Sequence, residues 1–249
     1  MPSKCIGVIG AMEIEIRHLL TVLENSKTEQ VHNLTFHVGQ LAGAQVVVCQ
    51  CSPGKVNAAR CAQILIDRYA PDVLINSGIA GGIDPVTEIG DCVIATGLVQ
   101  HDFDVSGFAA VRGFMCVPDA DRMKPTIWPA DQALAQEMAT ATQAAFADDS
   151  PEAKVHLGLI ATGDQFVQTQ AVKEDLWETF HPQACEMEGG AIAQVAALCG
   201  VPFGCLRILS DKADGSKPDV YDAWEREKGA ITGWVMETVI RHLGQGATQ

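Results

Sequence analysis

Two acidic segments stand at or near the end of β-forming runs and a third precedes a small-residue helix start, and they hold the side chains best suited to acid–base chemistry on a small polar ligand. Glu13 and Glu15 follow the run that starts at Cys5. Glu186 and Glu188 flank Met187 just before a glycine pair, and Asp211 follows Ser210 at the end of the run from Phe203. In open α/β sheets ligands gather at the carboxyl ends of strands, which makes Glu13, Glu15 and Asp211 candidates. On an extended backbone Glu186 and Glu188 share a face, and a carboxylate facing a cleft accepts hydrogen bonds from a vicinal diol. An acid at Asp211 that is shielded from water keeps a proton for a leaving group. Each also has a plainer reading, the glutamates as acids favouring helix starts and Asp211 as an N-cap.

Two further segments bear on the ligand. Asn76–Gly82 (NSGIAGG) has three glycines in five positions, which lets a ligand approach the backbone or makes a tight turn. Its neighbours Asn76, Ser77 and Ile79 supply no cation for phosphate, so the segment suits a neutral group or water. Phe166 follows a Gly-Asp turn and either stacks on a flat heterocycle or joins the core. His101, Asp102 and Asp104 invite a metal, but the tight spacing without a further His or Cys makes a weak ligand set, and no metal is expected. Neither a G-x-G-x-x-G nor a P-loop pattern occurs, so nicotinamide and nucleoside-triphosphate cofactors lack support and no cofactor is expected.

These residues need a frame, and the pattern supplies one. Runs at Cys5–Ile9, Leu34–Val38, Gln45–Cys49, Val73–Asn76, Cys92–Thr96, His156–Ala161 and Phe203–Leu209 read as strands. Between them Ile16, Leu19, Leu20 and Leu23 recur at helical spacing, as do Ala58, Ala62, Leu65 and Tyr69, then Ile192, Val195, Ala196 and Cys199. A last helix is expected from about Trp224 to Leu243, with Ile231, Trp234 and Val235 on its stripe. The aperiodic stretch from Ser106 to Pro129 reads as a long functional or interface loop. This alternation predicts an α/β fold with helices on both faces of a mostly parallel or mixed sheet, in one domain spanning 1–249.

The 249 residues carry 31 acidic against 17 basic side chains, a formal charge of -14 that repels phosphate backbones and anionic membranes. Nucleic acid is therefore not an expected partner. No apolar run reaches the roughly 18 residues of a membrane span, and the first twenty residues lack a signal-peptide pattern. Nine cysteines, an odd number without C-x-x-C spacing, fit reduced cytoplasmic thiols.

In order along the chain, GAMEIE, NSGIAGG, HDFDV, TGDQF, EMEG and RILSD resemble the motifs of the 5′-methylthioadenosine/S-adenosylhomocysteine nucleosidases of the nucleoside phosphorylase superfamily. The resemblance implies a three-layer αβα sandwich around a mixed, partly barrel-like sheet, usually a homodimer, and hydrolysis of an N-glycosidic bond to release adenine. By the same resemblance Glu15 positions and deprotonates water, Asp211 protonates the purine with Ser210 orienting it, and Glu188 takes the ribose hydroxyls. Met12 and Met187 pack on the sugar, Phe166 stacks on adenine and the Val167 backbone reads the base edge, while Arg207 and Glu186 fall at supporting positions. Tyr221 closes over the 5′-alkylthio group, and Phe108 serves the partner subunit's pocket. Ile79 stands where several relatives carry a small hydroxyl residue, which bears on contacts to water or base, and Pro53 and Cys116 also depart from common family residues, which leaves the 5′ preference open. A 5′-deoxyadenosine or futalosine-type hydrolase shares the same carboxylates, a phosphorylase would need a cationic phosphate site, and a nucleoside sensor would have no use for the proton donor.

Overall fold

The computed structural model describes residues 4–216 and 221–245, with side chains left undescribed at 148, 149 and 221–229. Continuous apolar runs become central strands because both their faces are covered. β1 (Cys5–Gly10) is buried throughout and pairs in parallel with β4 (Ala44–Gln50) and β5 (Val73–Gly82). β5 pairs in parallel with β10 (Phe203–Asp211), all nine residues of which are buried. The sheet continues antiparallel to β6 (Cys92–Gln100), parallel to β8 (Val155–Thr162), parallel to β9 (Ala184–Glu186) and antiparallel back to β5. Five strands thereby close into a mixed barrel. From β1 and β4 an antiparallel wing extends through β3 (Leu34–Leu41) to β2 (Glu24–Val31), and β7 (Ile127–Pro129) pairs with β6.

Helices cover the sheet on both sides, as the alternating pattern predicts. α1 (Glu13–Val22), α3 (Gln132–Asp149) and α6 (Tyr221–Gln245) pack on one face through Leu19, Met138 and Val239. α2 (Lys55–Tyr69) and α5 (Gly189–Cys199) pack on the other through Ala58, Leu65, Ile192 and Ala196. α4 (Gln170–Phe180) seals a flank of the barrel with Leu176 and Phe180. Each fully buried Leu of these stripes contributes ~2 kcal/mol through apolar area removed from water. Cys199, expected on the α5 stripe, is exposed, and Leu23 is buried but sits just past α1 as its C-cap.

Two differences from the sequence reading matter for the site. β2 is a solvent-facing edge of sequence ENSKTEQV, with none of the apolar alternation that marks a strand, and β7 and β9 are three residues each. The glycine segment is no turn: β5 runs unbroken from Val73 to Gly82, and none of its glycines has a positive φ. Its glycines serve close approach, since a Cβ on Gly78 would collide with the Arg207 guanidinium and stand 2.5 Å from Glu15 Oε1.

Candidate active site

Glu15 lies in the first turn of α1, 2% exposed, and its carboxylate binds three backbone amides. Oε2 accepts from Ala11 and Met12 at 2.8 and 2.9 Å, and Oε1 accepts from Ile79 at 3.0 Å. The helix-start role and the site role are therefore carried by one side chain. Two bonds fill the lone pairs of Oε2, which leaves one on Oε1 for a further donor. Burial pushes the proton affinity of Glu15 up, and the Arg207 charge and the three amides pull against it. Glu13, by contrast, is an exposed partner of Arg17.

Glu186 and Glu188 do not share an extended face. Glu186 ends β9, whereas Glu188 is the N-cap of α5 with φ -130° and ψ -44°, and the two acids have separate tasks. Glu186 Oε2 accepts the amides of Glu188 and Gly189 at 2.9 and 2.7 Å and an ion pair from Arg207 Nη2. Its Oε1 takes the Thr162 hydroxyl, which itself accepts the Gly190 amide at 2.7 Å. Glu186 is thus the helix-start acid, with four contacts made inside the protein, to two amides, a hydroxyl and the Arg207 guanidinium. Glu188 holds only the Gly54 amide, at 2.9 Å on Oε1, with Arg207 Nη2 3.5 Å from Oε2, so it has acceptor capacity to offer the cavity.

Arg207 is fully buried in β10, where Asn76 Oδ1 also accepts from Nη2 at 2.5 Å. Burial works against its charge, but Glu186, Glu188 and Glu15 together raise its proton affinity beyond the ordinary guanidinium range. Burial, then the neighbouring Glu186, lift the pKa of Glu188 to about 7 despite Arg207. An ionised carboxylate accepts hydrogen bonds from two hydroxyls, so a diol held by Glu188 would bind more tightly as pH rises through that value. kcat/KM is expected to climb through about pH 7, and Glu188→Gln to lack that limb; a wild-type profile with no rise between pH 5.5 and 7.5 would refute the assignment.

Asp211 terminates β10 and caps no helix. Its Oδ1 accepts the Ala213 amide at 2.7 Å, and Ser210 Oγ lies 2.9 Å from Oδ2 and 3.2 Å from the Ala80 carbonyl. One hydroxyl proton serves either acceptor.

A cavity of about 220 Å³ joins these groups, bounded by Met12 and Glu15, by Ile79 to Gly81, by Cys185 to Glu188, and by Ser210, Asp211, Pro53 and Phe166. Phe166 is 43% exposed and is no core residue, while Val167 is buried and lines smaller recesses that continue from the Asp211 end. Met12 and Met187 face the cavity. Phe108 does not: it stands 79% exposed in the turn Ser106–Phe108. Cys116 is exposed and absent from the cavity wall. Tyr221 opens α6, and its side chain lies outside the described residues.

Sequence reading missed several participants. Cys185 lines the cavity, Thr162 bridges Glu186 to α5, and Gly54 brings its amide to Glu188. Thr162 and Gly54 belong to the stretches around TGDQF and SPGK, whose glycines were the available signal. The largest omission is electrostatic: the fold brings the cation of Arg207 against Gly78, although the NSGIAGG segment has none of its own. The HDFDV acids have other partners: Asp102 pairs with Lys55 at 2.6 Å and Asp104 accepts the Ser106 amide at 2.8 Å.

A mixed barrel with buried carboxylates at its strand ends defines a class, and the family model described as Phosphorylase superfamily matches residues 5–239; the chain belongs to that superfamily. Within it, the chain is 41% identical over 239 residues, 96% of its length and 99% of the relative's, to the 5′-methylthioadenosine/S-adenosylhomocysteine nucleosidase of Shewanella sediminis. The S-adenosylhomocysteine nucleosidase of Streptococcus pyogenes, in complex with 5-methylthiotubericidin, superposes with a TM-score of 0.86 at 31% identity, covering 98% of both chains. The nucleosidase of Neisseria meningitidis, in complex with methylthio-immucillin-A, gives 0.85 at 33%, covering 96% of this chain and 99% of that one. Such identity over nearly full length bears out the family resemblance of the motifs.

Proposed function

We propose that the chain hydrolyses the N-glycosidic bond of 5′-methylthioadenosine and S-adenosylhomocysteine, releasing adenine and the 5′-thioribose, with its whole length acting as one nucleosidase domain. The observation that carries this reading is the polarity of the cavity. Glu15 and Glu188 line one part, and Asp211 with Phe166 the part that continues into the recesses beside Val167. Cleavage of a ribosyl bond builds positive charge on the sugar and negative charge on the departing purine. Anionic Glu15 and Glu188 stabilise the first; a proton from Asp211 to N7 neutralises the second, and Ser210 then stabilises the carboxylate left behind. Glu15 Oε1, with its one open lone pair, accepts the proton of the attacking water, as in the two-carboxylate logic of glycoside cleavage. Met12 and Met187 pack on the sugar, Phe166 stacks on the base and the Val167 backbone reads its edge.

Water rather than phosphate is the nucleophile. Arg207 is the cation beside the glycine strand, but three carboxylates already surround it, so a phosphate dianion would meet surplus negative charge. The products should be adenine and a free sugar hemiacetal, at a rate indifferent to phosphate and to chelators. Adenine release measured with and without phosphate, with phosphorus NMR of the products, tests this; a sugar 1-phosphate would overturn it, and loss of activity with a chelator would revive a metal at His101, Asp102 and Asp104.

The reading extends to assembly as a homodimer. Exposed apolar side chains support it: Val56 on α2 and Leu198 on α5, neighbouring helices, are 78% and 71% exposed, and Phe108 is available to complete the partner's 5′ pocket. Tyr221 is assigned to the same pocket. Nine free thiols fit a reducing, cytoplasmic setting.

A further inference from the structure

The chemistry above has no use for Asp102, yet Asp102 is held more tightly than a surface acid needs to be. Its Oδ1 accepts Lys55 Nζ at 2.6 Å and its Oδ2 accepts the Asp164 amide at 2.8 Å. Asp164 in turn accepts the Lys55 amide at 2.8 Å on Oδ1. The ring joins three separate elements: Lys55 opens α2, Asp102 follows β6 and Asp164 follows β8. The Lys55 and Asp102 side chains are 17% and 27% exposed, so the pair is partly shielded from solvent.

The loop under this ring is one that needs holding. Ser52 has φ 69° and Gly54 φ 100°, both in the left-handed region, and Ser52 carries a Cβ that disfavours it. α2 has no side-chain N-cap of its own, and the Asp164 carboxylate, from another element, satisfies its first amide instead. The amide immediately before, on Gly54, is the one that donates to Glu188 Oε1. Pro53 of the same loop lines the cavity, and Phe166, two residues beyond Asp164, lines it from the opposite strand end. A displacement of Lys55 is therefore transmitted through one peptide unit to the Glu188 carboxylate.

We infer that Lys55, Asp102 and Asp164 form a clasp that positions Glu188, through the Gly54 amide, to grip the ribose hydroxyls. Lys55 and Asp102 are positioning residues, not catalytic ones. The inference rests on the ribose role proposed for Glu188, and its test separates the two. The substrates are 5′-methylthioadenosine and its 2′,3′-dideoxy analogue, each variant being compared with the wild type on both.

Lys55→Met and Asp102→Asn are expected to lower kcat/KM for the ribonucleoside about tenfold, the loss of one aligned charge-assisted hydrogen bond, and to leave the dideoxy analogue within about twofold. Lys55→Arg should recover most of the loss. The double variant should cost little more than either single one, since both open the same ring. Glu188→Gln on the same pair is the control. If it removes the preference for the ribonucleoside while Lys55→Met retains that preference, only the clasp is overturned. If Glu188→Gln itself keeps the preference, the ribose role of Glu188 falls and the clasp proposal with it. Equal losses on both nucleosides, or none on either, also overturn the clasp.

Discussion

Asp211→Asn is expected to release adenine from 5′-methylthioadenosine at least about 100-fold more slowly than the wild type, the usual lower range for loss of a general acid. The substitution is close to silent for the fold. Asparagine keeps an oxygen on the Ala213 amide, and its amide nitrogen donates to Ser210, whose hydroxyl still reaches Ala80. Only the transferable proton is gone. The measurement pairs steady-state adenine release with a thermal melt, and adds a 5′-methylthioriboside whose leaving group needs no proton. That substrate should be spared. Near wild-type turnover of methylthioadenosine, or an equal loss on the activated riboside, would remove Asp211 from the acid role.

Glu15→Gln is expected to bind nucleoside still but to lose turnover by a similar or larger factor, about 100-fold or more, because an amide orients water without taking its proton. This variant also carries a stability cost. The native carboxylate accepts three backbone amides, and a glutamine in either orientation turns its NH₂ toward at least one of them. One buried donor left unpaired costs about 1–3 kcal/mol. The expected pattern is a lower Tm, retained equilibrium binding of a non-hydrolysable nucleoside, and lost hydrolysis. Binding that collapses while turnover of saturated enzyme survives would assign Glu15 to recognition instead.

The individual acids were legible in the sequence, and their partnerships were not. Glu15 and Asp211 stand beside apolar strands, where one-dimensional pattern and sheet geometry agree. The division between Glu186 and Glu188 depends on where β9 stops and α5 starts, and a three-residue strand carries too little periodicity to show it. β2 was invisible for a related reason, since an edge strand open to solvent needs no apolar face. Arg207 and Gly78 are neighbours only because β10 pairs with β5, a register fixed across more than a hundred residues of chain. Reading cations from sequence neighbours alone therefore misjudged the charge beside the glycine strand, although the nucleophile inferred from it is unchanged once the surrounding carboxylates are counted.

The packing of one guanidinium among three carboxylates also constrains how this protein can change over evolutionary time. Removing Arg207 leaves like charges crowded in a buried site, and removing any one acid alters what the remaining two experience. Substitutions here are epistatic by construction, each tolerated or not according to the state of the others. A change from water toward phosphate as the nucleophile would have to free the cation, and Glu186, Glu188 and Glu15 all act on it. Any route between the two chemistries therefore runs through the charge balance around a single arginine.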